Sequence, residues 1–261
     1  MPELGGTSMH HTTGRNRTIA SALGLVAAIL MLVSLALSWY DVTVSASGNG
    51  ITASETISLK LGSSYTATCP TSSVCTGTQT YQYTSGPGGS QLNKTGNLYQ
   101  TGLVLVIVGG LLGLGGGVLG ILSRGKQKMV MPAMALLALA LLLAIATPMM
   151  FLAAQPAAFN SDNHMSGVPG STSNSSAGPG GSYFGSCSGS GCGFSTNSQV
   201  SESATWGAGS GWYLSIVGFV LFLVALVFLF MARTAPPAPE AAPPAPMSPP
   251  PVPPMPPSGS G

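Results

Sequence analysis

Hydrophobic and polar positions along this chain fall in long blocks. Four apolar runs stand out, at 18–38, 102–122, 130–152 and 212–232, and none contains Asp, Glu, Lys, Arg or His. A helix crossing the hydrocarbon core of a bilayer needs about 20 apolar residues. In lipid every backbone polar group must pair within its own structure, so helices are the expected form. The pattern predicts four membrane-spanning helices, joined by a first long loop at 39–101, a short link at 123–129 and a second long loop at 153–211. Flanking segments cover 1–17 and 233–261.

The two long loops differ in pattern. In the first, Asp41-Val42-Thr43-Val44-Ser45, Thr56-Ile57-Ser58-Leu59-Lys60-Leu61 and Thr80-Tyr81-Gln82-Tyr83-Thr84 alternate between apolar and polar. That period, with β-branched and aromatic residues, predicts strands. Ser47-Gly48-Asn49-Gly50 supplies a turn between the first two. The stretch from Ser85 to Asn97 reads as a polar connector. The second loop is rich in Gly, Ser, Asn and Pro, a composition that buries too little apolar area to order itself. Only the surroundings of Cys187 and Cys192, with Tyr183, Phe184, Phe194 and Trp206, suggest an island of order there.

Charge then orients the chain. Charged residues are 5% of the sequence, against about 25% in an ordinary soluble domain. Six of the eight basic residues (Arg15, Arg17, Arg124, Lys126, Lys128 and Arg233) flank the runs on one side. By the positive-inside rule both termini are cytoplasmic and both long loops extracellular, in the plasma membrane. Trp39, Tyr40, Trp212 and Tyr213 fall where interface anchors on the outer side are expected. The first run is too long for a usual signal peptide, which favours an uncleaved helix.

All four cysteines lie in the outer loops. An even count in an oxidising compartment implies disulfides. Three connectivities are open, and the local pairs Cys69–Cys75 and Cys187–Cys192 are the preferred reading. Each small ring would stabilise by about 2 kcal/mol if unstrained. The fold class expected is therefore an all-α membrane protein: a four-transmembrane-helix bundle with a small disulfide-stapled antiparallel β-sheet in the first extracellular loop. Asn93 and Asn174 head N-x-S/T sequons in the outer loops and are candidates for N-glycosylation.

Within the second run, Gly102, Gly109, Gly113, Gly116, Gly117 and Gly120 recur at helical spacing. Small residues let a neighbouring helix approach closely. Ala20, Gly24 and Ala28 in the first run, and Ala140 and Ala144 in the third, offer similar stripes. Packing within one bundle is the plainer reading, and a homo-oligomer face the sharper one. Pro148 is expected to kink or end the third helix. The tail from Ala235 onward holds 13 of the 21 prolines. It reads as a polyproline spacer or as a ligand for a proline-binding cytoplasmic partner.

Little chemistry stands out. The spans carry no ionisable residue of the kind that proton relays and ion-coupled transport use. Gly115, Gly117 and Gly120 match a nucleotide-binding glycine pattern, but inside a membrane run and not after a strand. Asp162 and His164 form only a weak pair in a polar loop. No basic patch supports nucleic-acid binding. The sequence names no catalytic residue, no metal ligand and no cofactor.

Cytoplasmic termini, a β-rich first outer loop with the pair Cys69 and Cys75, a short inner link and a cytoplasmic tail make the layout similar to that of the claudin-like four-span families. The likeness is one of topology. The Gly-Leu-Trp signature of those families is missing before the cysteines, and the second outer loop is much longer. It implies an adhesive, barrier-forming or accessory role. The reading is thus a non-enzymatic membrane protein that contacts the lipid bilayer and, through its outer loops, a protein partner. The alternatives are an oligomeric channel or transporter accessory subunit, and a sensor that signals through its tail.

Overall fold

The computed structural model describes residues 8–48, 51–72, 75–85, 91–123, 127–162, 179–189 and 200–234. Helix α1 spans Ser8–Ser34, α2 Asn93–Leu122, α3 Val130–Asp162 and α4 Ser210–Thr234. A one-turn 3-10 helix, Gln127–Met129, leads into α3. All four helices contain stretches long and apolar enough to cross a membrane. Each packs against two neighbours in the cycle α1–α2–α3–α4, with the α3–α4 seam the least extensive.

Residue size is sorted across the bundle. Ala20, Ala27, Ala28, Ala133, Ala140 and Ala144 face inward, fully buried, while Ile29, Val104, Leu111, Leu142 and Phe230 lie exposed on the outside. Lipid tails are as apolar as leucine, so large side chains gain little by leaving them. Small residues instead let helices approach and exchange close dispersion contacts. Ser34, Thr147 and Ser215 satisfy their hydroxyls within their own helices, donating to the carbonyls of Met31, Leu143 and Trp212.

The strands form one antiparallel sheet at the end of the bundle where α1 and α3 finish and α2 and α4 begin. They are β1 Ser38–Gly48, β2 Ile51–Lys60, β3 Ser64–Ser72, β4 Cys75–Gln82, β5 Gly185–Ser188 and β6 Val200–Ala208. Their spatial order is β4-β3-β2-β1-β6-β5. β1 is therefore central, pairing with β2 from Ser38 to Gly48 and with β6 from Tyr40 to Gly48.

This overturns the expected fold class. The protein is not an all-α bundle with a small stapled sheet in one loop. Its sheet has six strands, drawn from both long loops, and among the described side chains no two cysteines are joined. Continuous backbone ladders and burial of one face hold its strands together. The backbone register sets Cys69 opposite Gly77, and Cys75 opposite Ser72. Cys187 on β5 is not a free thiol. Cys192, like the side chains of Cys69 and Cys75, lies outside the described residues.

The second loop contributes strands because only one face of this sheet is buried. A strand there needs an apolar residue at every second position, and the intervening ones stay polar. Ala204 and Trp206 are buried and alternate with exposed Ser203 and Thr205. That alternation was legible but submerged in Gly/Ser-rich surroundings.

The helices also outrun the apolar runs. α2 begins nine residues before Gly102, absorbing part of the expected polar connector. α3 passes through Pro148 and Pro156 and ends ten residues beyond Leu152, so Pro148 does not end it. At 1.5 Å per residue these extensions project roughly 14–15 Å beyond the apolar runs. The sheet packs against them.

Candidate functional site at the sheet and its junction with the bundle

The inner face of the sheet is apolar and seated on the helix ends. Crossing the sheet, Ala67, Ile57, Val42, Trp206 and Gly185 stand opposite one another in register, the first four buried. Gly185 is required by this packing. A Cβ there would sit 2.7 Å from Cε2 of Trp206, so only glycine lets the indole lie across β5. The indole N–H of Trp206 donates to the Ser182 carbonyl at 3.1 Å.

Beneath that face runs a layer of aromatic rings. Tyr81, Tyr65, Tyr83, Tyr99, Phe151 and Trp39 touch in sequence, with centroid separations of 4.8 to 5.6 Å. A second group links Phe159, Tyr40, Tyr183, Phe184, Trp212 and Tyr213. All seven tyrosines of the chain take part. Such pairs contribute about 0.5–1.5 kcal/mol each beyond simple burial.

The four residues expected as interface anchors separate here. Trp39 and Tyr40 are fully buried within the layer, and Trp212 is half-buried. Only Tyr213 is exposed. Trp39 donates its indole N–H to the Ser34 carbonyl at 2.9 Å, satisfying one of the carbonyls left open at the end of α1. Trp212 donates to the Pro148 carbonyl at 3.3 Å, tying α4 to α3.

Polar residues lock the helix extensions together. The Asp162 carboxylate, at the end of α3, accepts from the backbone N–H of Lys94 at 2.8 Å and of Thr95 at 2.7 Å. It caps α2 from another helix, where unpaired N–H groups and the helix dipole favour a negative charge. Tyr99 donates to Oε1 of Gln155 at 3.0 Å, both side chains fully buried. Sequence reasoning missed Asp162, Gln155 and Tyr99 in these roles. Asp162 lies 67 residues from Thr95, and no local motif signals a cap supplied at that distance.

Burial raises the pKa values of four tyrosines outside the bundle. Tyr65 is pushed up to about 12 by desolvation, with smaller contributions from Tyr81 and Glu55. Tyr40, Tyr83 and Tyr183 move further in the same direction, again mainly through burial. These phenols are neutral packing groups throughout the neutral range.

The outer face is different in kind. Thr78, Thr68, Thr56, Thr43, Thr205 and Ser186 stand in one row across all six strands. Ser54, Ser45, Ser203 and Ser188 form a second row beside it. Thr80, Thr66 and Ser58 lead a third that ends at Asp41. Neighbouring hydroxyls pair within the first row, Thr43 with Thr56 at 3.2 Å and Thr68 with Thr78 at 3.1 Å. Strands about 4.8 Å apart make this a regular, almost uncharged hydroxyl surface.

The six expected packing glycines all lie on the buried side of α2. A Cβ at Gly102 would stand 2.6 Å from Phe151, at Gly109 3.2 Å from Leu143 and Met31, at Gly116 2.8 Å from Leu137, and at Gly117 2.8 Å from Leu25. At Gly113 it would strike Phe222 of α4, which reaches into the centre of the bundle, and at Gly120 the Ser21 hydroxyl. Asn93 is exposed at the start of α2, and Asn174 lies outside the described residues. The proline-rich tail also lies outside them.

Neither the protein-family models nor the curated proteins contain a match to this chain.

Proposed function

We propose that this chain is a non-catalytic membrane protein that holds a rigid contact surface against its outer environment. The observation that carries the reading is the hydroxyl row running across all six strands, from Thr78 to Ser186. A sheet built from both loops and seated on two helix extensions presents that face at fixed height and orientation. Hydroxyls offer both donors and acceptors, and here they carry almost no charge, so the face suits an uncharged polar partner surface. The basic residues flanking the other end of the bundle favour an orientation with the sheet outside the cell and both termini in the cytoplasm. In this reading the protein is an adhesive or scaffolding element of the plasma membrane.

Crosslinking in native membranes, followed by mass spectrometry, tests the reading. Thr56→Lys and Thr205→Lys place charge in the row without entering the core. The double variant is expected to insert normally and to lose the neighbours crosslinked to the wild-type sheet. An unchanged set of neighbours would sink the proposal, as would selective solute flux through liposomes containing the purified protein.

A further inference from the structure

Between α3 and α4, in the half of the bundle away from the sheet, lies a cavity of about 510 Å³. Met131, Ala135 and Ala138 line it from α3, and Leu226, Phe230 and Arg233 from α4. On each helix these positions follow steps of four and three, so each helix contributes one continuous face. Among the described residues the lining is apolar except at one end, where Arg233 stands exposed. From Met131 to Ala138 the groove extends about 10 Å along the helix axis. One leaflet of hydrocarbon is about 15 Å deep. The groove therefore reaches most of the way from the headgroup level to the bilayer midplane.

We infer that this groove is a binding site for one anionic phospholipid of the leaflet opposite the sheet, with an acyl chain between α3 and α4 and the phosphate on Arg233. The inference rests on the four-span reading of the chain. Two features of the site carry it. The groove opens along the least extensive helix seam, so an elongated apolar chain can enter from the side. Among the described residues its one polar lining group is a guanidinium, whose forked donors match phosphate oxygens. The described acidic residues, Asp41, Glu55, Asp162 and Glu202, all belong to the sheet end of the molecule. Exposed Lys128, just before α3, adds a second positive charge at the same end. Basic pockets between spanning helices are a recurrent way of holding anionic headgroups.

The test uses the full chain, reconstituted in vesicles of equal parts phosphatidylglycerol and phosphatidylcholine. The protein is then extracted in mild detergent, and retained lipid is identified by mass spectrometry. The wild type is expected to retain phosphatidylglycerol several-fold over phosphatidylcholine. Arg233→Gln should abolish that preference while lipid is still retained. Ala138→Phe, which fills the groove, should lower retention of both lipids. A wild-type lipid ratio equal to that of the vesicles, or a preference unchanged in Arg233→Gln, overturns the inference. So does a groove covered by a second copy, seen as a dimer that Ala138→Phe breaks and that retains no lipid. Carbonate extraction separates the two levels: a chain washed from the membrane refutes the four-span reading itself, whereas one that stays embedded without selective lipid refutes only the site.

Discussion

Asp162 carries more structural consequence than its polar surroundings suggest. It is one of few charges in the chain, and it neutralises the open N–H groups of a helix that begins 69 residues earlier, at Asn93. Asp162→Ala is expected to cost about 0.5–2 kcal/mol, the usual range for a lost helix cap. Hydrogen exchange at the amides of Lys94 and Thr95 should accelerate in that variant, and an unchanged rate would show that the cap is dispensable. The tyrosines make a second prediction. Tyr65 titrates at about 12 in the folded chain, against 10.0 ordinarily. Below about pH 10 the phenol is protonated in both folded and unfolded chains, and its contribution to stability is intact. As pH rises from there towards 12, the unfolded chain loses the proton first, and stability falls. Tyrosinate absorbance should therefore appear late, together with loss of the sheet's circular dichroism. Ionisation of Tyr65 near pH 10 with the fold intact would contradict it.

At the scale of elements, the glycines of α2 are not equivalent. Gly117 faces α1, where a Cβ would lie 2.8 Å from the Leu25 side chain and 3.2 Å from its backbone nitrogen. Backbone does not yield as a flexible side chain does, so Gly117→Leu forces the helices apart. A loss of about 1–3 kcal/mol is expected. Gly115 faces more open space, its nearest neighbour being Leu136 at 3.6 Å. Gly115→Ala should be neutral or stabilise by up to about 1 kcal/mol, because alanine loses less backbone entropy in a helix. Thermal unfolding of the two variants in the same detergent checks the contrast, and equal effects would refute it. The helical spacing of the glycines was legible in the sequence. Which of them meet backbone and which meet open space was not, because that depends on where α1, α3 and α4 lie.

At the scale of the whole molecule, the two long loops are one structural unit through β1, which pairs with a strand of each. Trp206 is the anchor of the second loop's share, spanning β5 and holding Ser182. Trp206→Ala should cost about 3–5 kcal/mol at this edge of the sheet. In exchange mass spectrometry, residues 179–189 should lose protection while β2, β3 and β4 keep theirs. Uniform loss across all six strands would mean that the sheet opens only as a single unit. The strands of the first loop were readable because their alternation includes Val, Ile, Leu and Tyr. Those of the second were hidden, since β5 reads Gly-Ser-Cys-Ser and pairs along one edge with β6.

By itself the sequence determined the four apolar helices, the stripe of small residues on α2 and the period-two strands of the first loop. Each follows from a local pattern: enough apolar length to satisfy a bilayer, or a repeat that matches one secondary structure. Tertiary structure alone decided that strands from both loops share a sheet, that Trp39 and Tyr40 are buried, and that Asp162 caps α2. These features join residues far apart in the chain. Their energy comes from one side chain or backbone edge meeting another, so no stretch of sequence read alone contains them.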